Sequence, residues 1–200
     1  MRVYGRYAGN GGLVVLCLLF AWANLAAWQR TGSPTGLGLT VLEGWTAALF
    51  LLRRAPLRVS THPVAWIAGP IGTWAVLPAR PTDGGGIPHL LAEPLQLIGV
   101  GIAVLSLGAL RRSLGIVAAN RGVRTRGPYR IVRHPVYFGY VVAWAGYVLE
   151  NPSTRNLALF AAGVLGQAMR IREEERLLEG DGAYRQYMRE VRHRLVPYLF

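Results

Sequence analysis

The sequence predicts an all-α fold: a multi-pass transmembrane helical bundle of five to six membrane segments with a cytoplasmic C-terminal helix. The chain is 52% apolar and only 16% charged, whereas an average soluble domain is about 25% charged. Several apolar runs approach the roughly 20 residues that cross a bilayer as a helix. The arginines collect at the ends of these runs. Together these observations favour a membrane protein over a soluble one.

Six apolar runs follow one another along the chain. The third is interrupted by Gly69-Pro70, so we expect it to be kinked or only partly inserted, and the number of spans stays open at five or six. Residues 150–153, Glu-Asn-Pro-Ser, separate the last two runs, and their turn chemistry predicts a helical hairpin. The runs comprise residues 11–28, 37–52, 63–79, 90–110, 136–149 and 157–169.

The chain is strongly basic: its formal net charge is +12, and arginine is its only basic residue besides histidine. Such a balance also suits nucleic-acid binding, but that function requires the arginines on a soluble face, so no nucleic-acid partner is expected. All arginines except Arg30, Arg80 and Arg155 lie before the first run or after the second, fourth and sixth. This bias places those segments in the cytoplasm. The absence of lysine suggests a GC-rich bacterial genome, hence a bacterial inner membrane.

The first polar motif is residues 127–139, Gly-Pro-Tyr-Arg-Ile-Val-Arg-His-Pro-Val-Tyr-Phe-Gly. The position before a proline disfavours helix, and proline is well tolerated at the first helical position. The motif therefore predicts a helix that begins near Pro135, with Arg133-His134 at its edge and Tyr137 and Gly139 in its first turns. A charged loop at the membrane surface is the alternative interpretation.

The second polar motif is residues 170–178, Arg-Ile-Arg-Glu-Glu-Glu-Arg-Leu-Leu, directly after the last apolar run. On a helix Arg170 faces Glu174. A solvated helix end with ion pairs worth roughly 0.3–0.5 kcal/mol each is the alternative. The motif lies on the same predicted membrane face as Arg133-His134, and ionisable residues at that depth favour a functional site.

Residues 127–139 and 172–178, followed by Gly182, Tyr184, Tyr187 and the terminal Arg194 to Pro197, resemble the isoprenylcysteine carboxyl methyltransferase family. Its members are integral membrane methyltransferases that use S-adenosylmethionine and are akin to the phospholipid N-methyltransferases. The resemblance covers roughly residues 125–198. It implies S-adenosylmethionine as cofactor, S-adenosylhomocysteine as product and no metal. We therefore divide the chain into N-terminal membrane spans, residues 1–110, and a catalytic region, residues 111–200.

The resemblance also implies roles for individual residues. Arg170 and Glu175 are expected to be catalytic, with Arg170 near the methyl-accepting carboxylate. They lie about 140° apart on a straight helix, so they converge only if the helix bends or the pocket wraps around it. Which of the glutamates at 173, 174 and 175 contacts the cofactor stays open. The expected cofactor-binding residues are Arg133, His134, Pro135, Tyr137, Gly139, Glu174 and Glu175.

The chemistry of these residue types suits a sulfonium cofactor. Arginine pairs with a carboxylate and glutamate with an ammonium or hydroxyl groups, while the faces of Tyr137 and Trp144 suit a sulfonium cation. Gly99-Val100-Gly101 lies within an apolar run, which favours close helix packing. Because no glycine-rich loop follows a strand, a soluble Rossmann-type methyltransferase is excluded. The single Cys17 provides neither a disulfide nor metal-ligand spacing.

We therefore predict an integral membrane S-adenosylmethionine-dependent methyltransferase that O-methylates an isoprenylcysteine-like or other lipophilic carboxylate at the cytoplasmic face. We expect the methyl acceptor to enter the protein from the bilayer, and we expect membrane lipids to surround the protein. The alternative is a phospholipid or other lipid N-methyltransferase. An alternative of another class is a non-catalytic transporter or scaffold. Transporters carry polar residues within their spans, and here the nearest are Asn24, Glu43 and Gln96, which argues against that alternative.

Overall fold

The computed structural model describes the backbone of residues 2–197 and the side chains of residues 10–197. The side chains of Arg2 and Arg6, and the whole of Tyr198, lie outside the described residues. The described chain is predominantly helical, with two short 3-10 turns at Arg111–Ser113 and Gly127–Arg130. Its α-helices are α1 (Arg2–Thr31), α2 (Pro34–Leu52), α3 (Pro63–Trp74), α4 (His89–Leu110), α5 (Pro135–Glu150), α6 (Thr154–Leu178) and α7 (Gly182–Glu190).

One end of the bundle, here called the basic end, gathers residues 52–62, 111–134 and 179–197. The backbone N–H of Arg54 donates to the carbonyl of Arg112 at 2.8 Å. Next to it, β1 (Arg58–Val59) pairs antiparallel with β2 (Ala119–Asn120). The expectation of an all-α fold is therefore wrong at this end of the bundle. The strands could not be predicted, because two residues are too few to show the alternation that identifies a strand in sequence. The Asn120 side chain donates to Asp181 at 3.0 Å and so attaches α7 to this end.

The opposite end joins the other turns of the bundle. Ser33 donates to the Glu93 carboxylate, and the Asn156 side chain donates to the carbonyl of Arg80 at 2.7 Å. The amide N–H of Thr82 donates to the Asn151 side chain at 3.1 Å. Within the described residues, α1, α2, α4, α5 and α6, and α3 with its following turn, lie between these two ends.

Three of the described helical segments are long and apolar enough to cross a membrane: Asn10–Thr31, Pro34–Leu52 and His89–Ser113. Helix α3 has 12 residues and α5 has 16, fewer than the roughly 20 that cross a bilayer. Large apolar side chains such as Leu19, Trp22 and Leu105 are more than half exposed, as lipid-facing residues would be. The structure therefore has the character of a membrane protein.

The third apolar run forms a shorter helix than residues 63–79 predict, because the chain leaves helix after Trp74. Gly69-Pro70 does not interrupt it, and Pro70 lies inside α3. Helix α3 packs closely on α6: a Cβ on Gly166 would come within 2.6 Å of the Gly72 nitrogen. The Gln167 side chain donates to the Gly72 carbonyl at 2.6 Å and fixes this contact.

Helices α4 and α5 cross through small residues. A Cβ on Gly99 would lie 2.3 Å from the Ala143 nitrogen, and one on Gly139 would lie 2.7 Å from the Ala103 nitrogen. The interpretation of Gly99 as a helix-packing residue is confirmed. Gly101 has nothing within 4 Å of the equivalent position, so it takes no part in this crossing.

The predicted helical hairpin is confirmed, because α5 begins at Pro135 and ends at Glu150, and α6 begins at Thr154. The Ser153 side chain caps α6 by accepting from the Asn156 backbone at 3.1 Å. The charged C-terminal segment is not one continuous helix. It breaks between α6 and α7, where Asp181 caps α7, and residues 191–197 then return to the start of α5.

Candidate functional site

A cavity of about 420 Å³ extends from the basic end into the space between the helices. At the basic end it is lined by residues of the 111–134 segment, α6 and α7. Deeper in the bundle it is lined by apolar and aromatic side chains of α1, α2, α4 and α5, among them Phe20, Leu42, Phe50, Val100 and Trp144. A polar mouth therefore leads into an apolar interior that lies among the span-length helices.

Arg133 and Glu175 form a buried ion pair beside the mouth. The Arg133 Nε donates to Glu175 Oε1 at 2.7 Å, and its Nη1 donates to the carbonyls of Val191 and Arg192. Arg194 donates to the second Glu175 oxygen at 2.8 Å. The Glu175 side chain is 2% exposed. Glu175 therefore ties the start of α5 and the C-terminal segment to α6.

The ionised form of Glu175 is favoured in this setting. Burial raises the pKa of its carboxyl, but hydrogen bonds from His134, Arg133 and Arg194 outweigh that effect and lower the pKa from 4.5 to about 2. The charge of Glu175 is thus balanced by the chain itself. We infer that this carboxylate positions its neighbours, since it is not among the residues that line the cavity.

Glu174 points in a different direction and lines the cavity. It accepts a hydrogen bond from the Tyr137 hydroxyl and one from the Arg170 Nε at 3.2 Å. His134 lies between the two glutamates: its Nε2 is 3.2 Å from Glu175 and its Nδ1 is 3.8 Å from Glu174. A helix turns about 100° per residue, which is why adjacent carboxylates reach separate partners.

The third glutamate of the motif, Glu173, points away from the cavity. Its carboxylate accepts from Arg176 at 2.6 Å and lies 3.4 Å from His62. Glu173 is buried but absent from the cavity lining. Of the three glutamates, Glu174 alone faces the cavity.

Arg170 is buried and held by the chain on several sides. Besides Glu174, it donates to the Thr73 hydroxyl at 3.0 Å and to the Gly115 carbonyl. Its guanidinium carbon lies 4.7 Å from the centre of the Tyr137 ring. The predicted pairing of Arg170 with Glu174 is confirmed. Arg170 does not converge with Glu175, because Arg170 lines the cavity and contacts Glu174, whereas Glu175 does not line it.

The other predicted site residues divide into two groups. His134 and Tyr137 line the cavity, with their rings stacked at a centroid distance of 5.6 Å, and Arg133 lines it as well. Pro135 and Gly139 do not line it. Pro135 is the fully buried first residue of α5, and Gly139 lies at the crossing with α4.

Several cavity residues were not identified from the sequence. Asn24, Glu43 and Gln96, three of the polar residues within the apolar runs, all line it; their position inside a span was the available signal. Tyr184 of α7 also lines the cavity, and it is 4% exposed. Among the described residues its hydroxyl has no hydrogen-bond partner. Thr73 on α3 gave no signal, because its contact with Arg170 depends on helix packing.

The polar mouth fits S-adenosylmethionine chemically. Buried polar groups are nearly always hydrogen bonded, so the unpaired Tyr184 hydroxyl indicates space for a polar ligand group. The Glu174 carboxylate suits an ammonium or hydroxyl group, and Arg124, which also lines the cavity, suits a carboxylate. The ring of Tyr137, which lines the cavity at this end, suits a sulfonium. Among the described residues there is no group of three His, Cys, Asp or Glu side chains that could hold a metal.

Comparison with known proteins gives one family match, which spans both polar motifs. Residues 89–182 match the model of the phospholipid methyltransferase family, a related family of integral membrane methyltransferases. The match covers just under half of the chain, from α4 to the start of α7, and includes both polar motifs. The matched family is not the isoprenylcysteine carboxyl methyltransferase family, which the sequence motifs resemble. That narrower assignment is not confirmed. No curated protein matches the chain.

Proposed function

We propose that this protein is an integral membrane methyltransferase that uses S-adenosylmethionine and acts on a lipophilic acceptor. The observation that carries the proposal is the cluster of Glu174, Tyr137, His134 and Arg170 at the polar end of a cavity that continues between apolar helices. The family match over both motifs supports it. A transporter or scaffold would not require this buried, mutually hydrogen-bonded cluster.

The chain's residues have distinct roles in this proposal. Glu174 and the Tyr184 hydroxyl would hold polar groups of S-adenosylmethionine, and Tyr137 would lie near its sulfonium. The bound cofactor supplies a methyl group on a positively charged sulfur. Arg133 and Glu175 position His134 and hold the C-terminal segment against the start of α5. A dry cavity would favour transfer from the sulfonium to a carboxylate most, because that transfer neutralises both charges.

The acceptor that these observations favour is a lipid-tailed amine. The family match is to phospholipid methyltransferases. In addition, the charge of Arg170 is balanced by Glu174, and three of its N–H groups donate within the chain. An acceptor amine must lose a proton before transfer, and His134, which lines the cavity, could accept it.

The second candidate is a lipid-tailed carboxylate, such as that of an isoprenylcysteine. The specific observation in its favour is Arg170, a buried guanidinium that also lines the cavity. Its remaining N–H groups could bind one carboxylate oxygen. In either case we propose that the tail lies among the spans and that the basic end faces the cytoplasm, in a bacterial inner membrane.

The test is a pair of measurements on purified protein in detergent. Calorimetric titration should show saturable binding of S-adenosylmethionine. Radiolabelled methyl transfer should then be followed to phosphatidylethanolamine and to a farnesylated cysteine analogue in parallel. Base-stable label on the first identifies N-methylation, and base-labile label on the second identifies a methyl ester. Absence of both binding and transfer would contradict the proposed function.

A further inference from the structure

Glu43 is an ionisable residue within the membrane-spanning part of the bundle. It is the central residue of α2, Pro34–Leu52, one of the three span-length segments. It lies outside residues 89–182 and so outside the family match. A carboxylate at the centre of a span is costly and in general marks a functional group. Nothing in the site described above uses it.

The side chain of Glu43 faces the cavity rather than the lipid. The cavity-lining residues of α2 recur at helical spacing, so they share one face. Residues on the other side of α2, such as Val41, Trp45 and Leu51, are exposed large apolar side chains. The cavity-lining residues of α2 are Thr35, Leu39, Leu42, Glu43, Thr46 and Phe50.

No cationic side chain balances the charge of Glu43. None of the ion pairs between described residues includes it, and the neighbouring polar group is the Cys17 thiol of α1. Cys17 also lines the cavity. A half-buried carboxylate beside only a weak thiol donor is less stabilised in its charged form than one paired with a cation. A cationic ligand group would supply the missing counter-charge.

Two aromatic rings line the same cavity as Glu43 and the polar cluster. Tyr140 and Trp144 of α5 stack there at a centroid distance of 5.9 Å. The Tyr140 hydroxyl lies within electrostatic range of both Glu43 and Arg170. Aromatic faces together with a carboxylate are the groups that recognise ammonium ions in proteins. The cavity therefore offers an ammonium site next to the cluster that we assign to the cofactor.

We propose that Glu43, with the Tyr140 and Trp144 rings, binds the ammonium group of the methyl acceptor and so selects a cationic amphiphile. This inference rests on the proposed methyltransferase function and adds a specificity-determining residue to it. The ammonium pairs with the carboxylate on binding and gives up a proton, to His134 as proposed above, before transfer, because only the neutral amine can accept a methyl group. The tail lies along the apolar side chains of α1 and α2. A carboxylate-headed amphiphile of the same length is excluded, because its charge would face Glu43.

The experiment compares two probes that differ in charge but share a tail, n-dodecylamine and n-dodecanol, binding to the full chain in a maltoside detergent. The wild-type protein should bind the amine about ten- to a hundredfold more tightly than the alcohol, the range expected for a hydrogen bond to a charged group. Glu43→Gln should lose this preference while its affinity for the alcohol stays the same. Glu43→Asp, which keeps the charge, should retain part of the preference.

The matched control is Glu190→Gln, the same chemical change at an exposed residue of α7, which should behave as the wild type. If Glu43→Gln keeps the preference for the amine, the inference is wrong. The inference is also wrong if the affinity of that variant for both probes falls by the same factor and its thermal stability falls as well. S-adenosylmethionine titration separates the two proposals: Glu43→Gln should bind the cofactor normally, whereas failure of the wild type to bind it contradicts the proposed function.

Discussion

At the scale of single residues, the two adjacent glutamates of α6 have separate tasks. Glu174 faces the cavity and contacts Tyr137 and Arg170, whereas Glu175 is enclosed by Arg133, His134 and Arg194. The 100° turn between neighbouring helical residues separates them. One glutamate is available to a ligand and the other stabilises the surrounding structure.

Replacing each glutamate by glutamine should distinguish these tasks. Glu174→Gln should weaken S-adenosylmethionine binding about ten- to a hundredfold, because it removes a charged hydrogen-bond acceptor from the cavity, while the melting temperature changes little. Glu175→Gln should lower the melting temperature, because Arg133 and Arg194 lose their counter-charge. Titration calorimetry and differential scanning fluorimetry measure the two effects. Equal effects of both variants on both quantities would contradict the division of roles.

The pKa of Glu175 also predicts a pH dependence of stability. Its value falls from 4.5 to about 2 in the folded state, so the ionised carboxylate favours folding. Its contribution is fully present above about pH 4.5 and is lost as the pH falls towards 2. The melting temperature of the wild type should therefore fall more steeply over this interval than that of Glu175→Gln. Parallel curves would show that Glu175 is not the group responsible.

At the scale of elements, small residues determine how closely α4 and α5 approach. Gly99 and Gly139 lie at their crossing, where backbone atoms of the facing helix occupy the space of a side chain. Close contact between backbones provides dispersion interactions that lipid cannot replace. Because α5 carries His134 and Tyr137 at its start, this crossing also fixes the position of the site relative to α4.

An alanine at Gly99 should destabilise the protein by about 1–3 kcal/mol, because the added methyl group would meet the Ala143 backbone, which cannot move without shifting α5. Gly101→Ala is the matched control, since nothing lies within 4 Å of its Cβ position, and it should leave stability unchanged or slightly higher. Thermal unfolding in detergent measures both. A Gly99→Ala variant as stable as Gly101→Ala would contradict the packing argument.

At the scale of the whole molecule, the distribution of arginine corresponds to the two ends of the bundle. The arginine-rich segments 52–62, 111–134 and 179–197 are joined by hydrogen bonds at the basic end. Arg30, Arg80 and Arg155 belong to turns at the opposite end, where Arg155 donates to the Pro78 carbonyl. The positive-inside rule then predicts that the basic end faces the cytoplasm.

Cysteine labelling in intact cells tests this orientation. Cysteines at Arg126 and Glu190, both exposed at the basic end, should be shielded from an impermeant thiol reagent applied outside. A cysteine at Asp83, exposed in the loop at the opposite end, should be labelled. The unchanged chain reports any reaction of the buried Cys17. Labelling at Arg126 or Glu190 would overturn the predicted topology.

Several features of the fold follow from interactions between residues that are close in sequence. Proline chemistry predicted the start of α5 at Pro135, the 150–153 turn predicted the hairpin, and helical spacing predicted the pair of Arg170 and Glu174. Composition predicted helices able to cross a bilayer. Because these signals are local, they can be interpreted without knowing how the helices pack.

Contacts between residues that are distant in sequence could be identified from the packing of the helices alone. Arg133 and Glu175 are 42 positions apart, and the C-terminal segment reaches Arg133 by backbone contacts that carry no sequence signature. Glu43 became part of the cavity because α2, which packs on α1 and α4, turns that face inward. The physical reason is that side-chain convergence depends on how helix faces pack, and a helical pattern gives the face of each helix but not its neighbour.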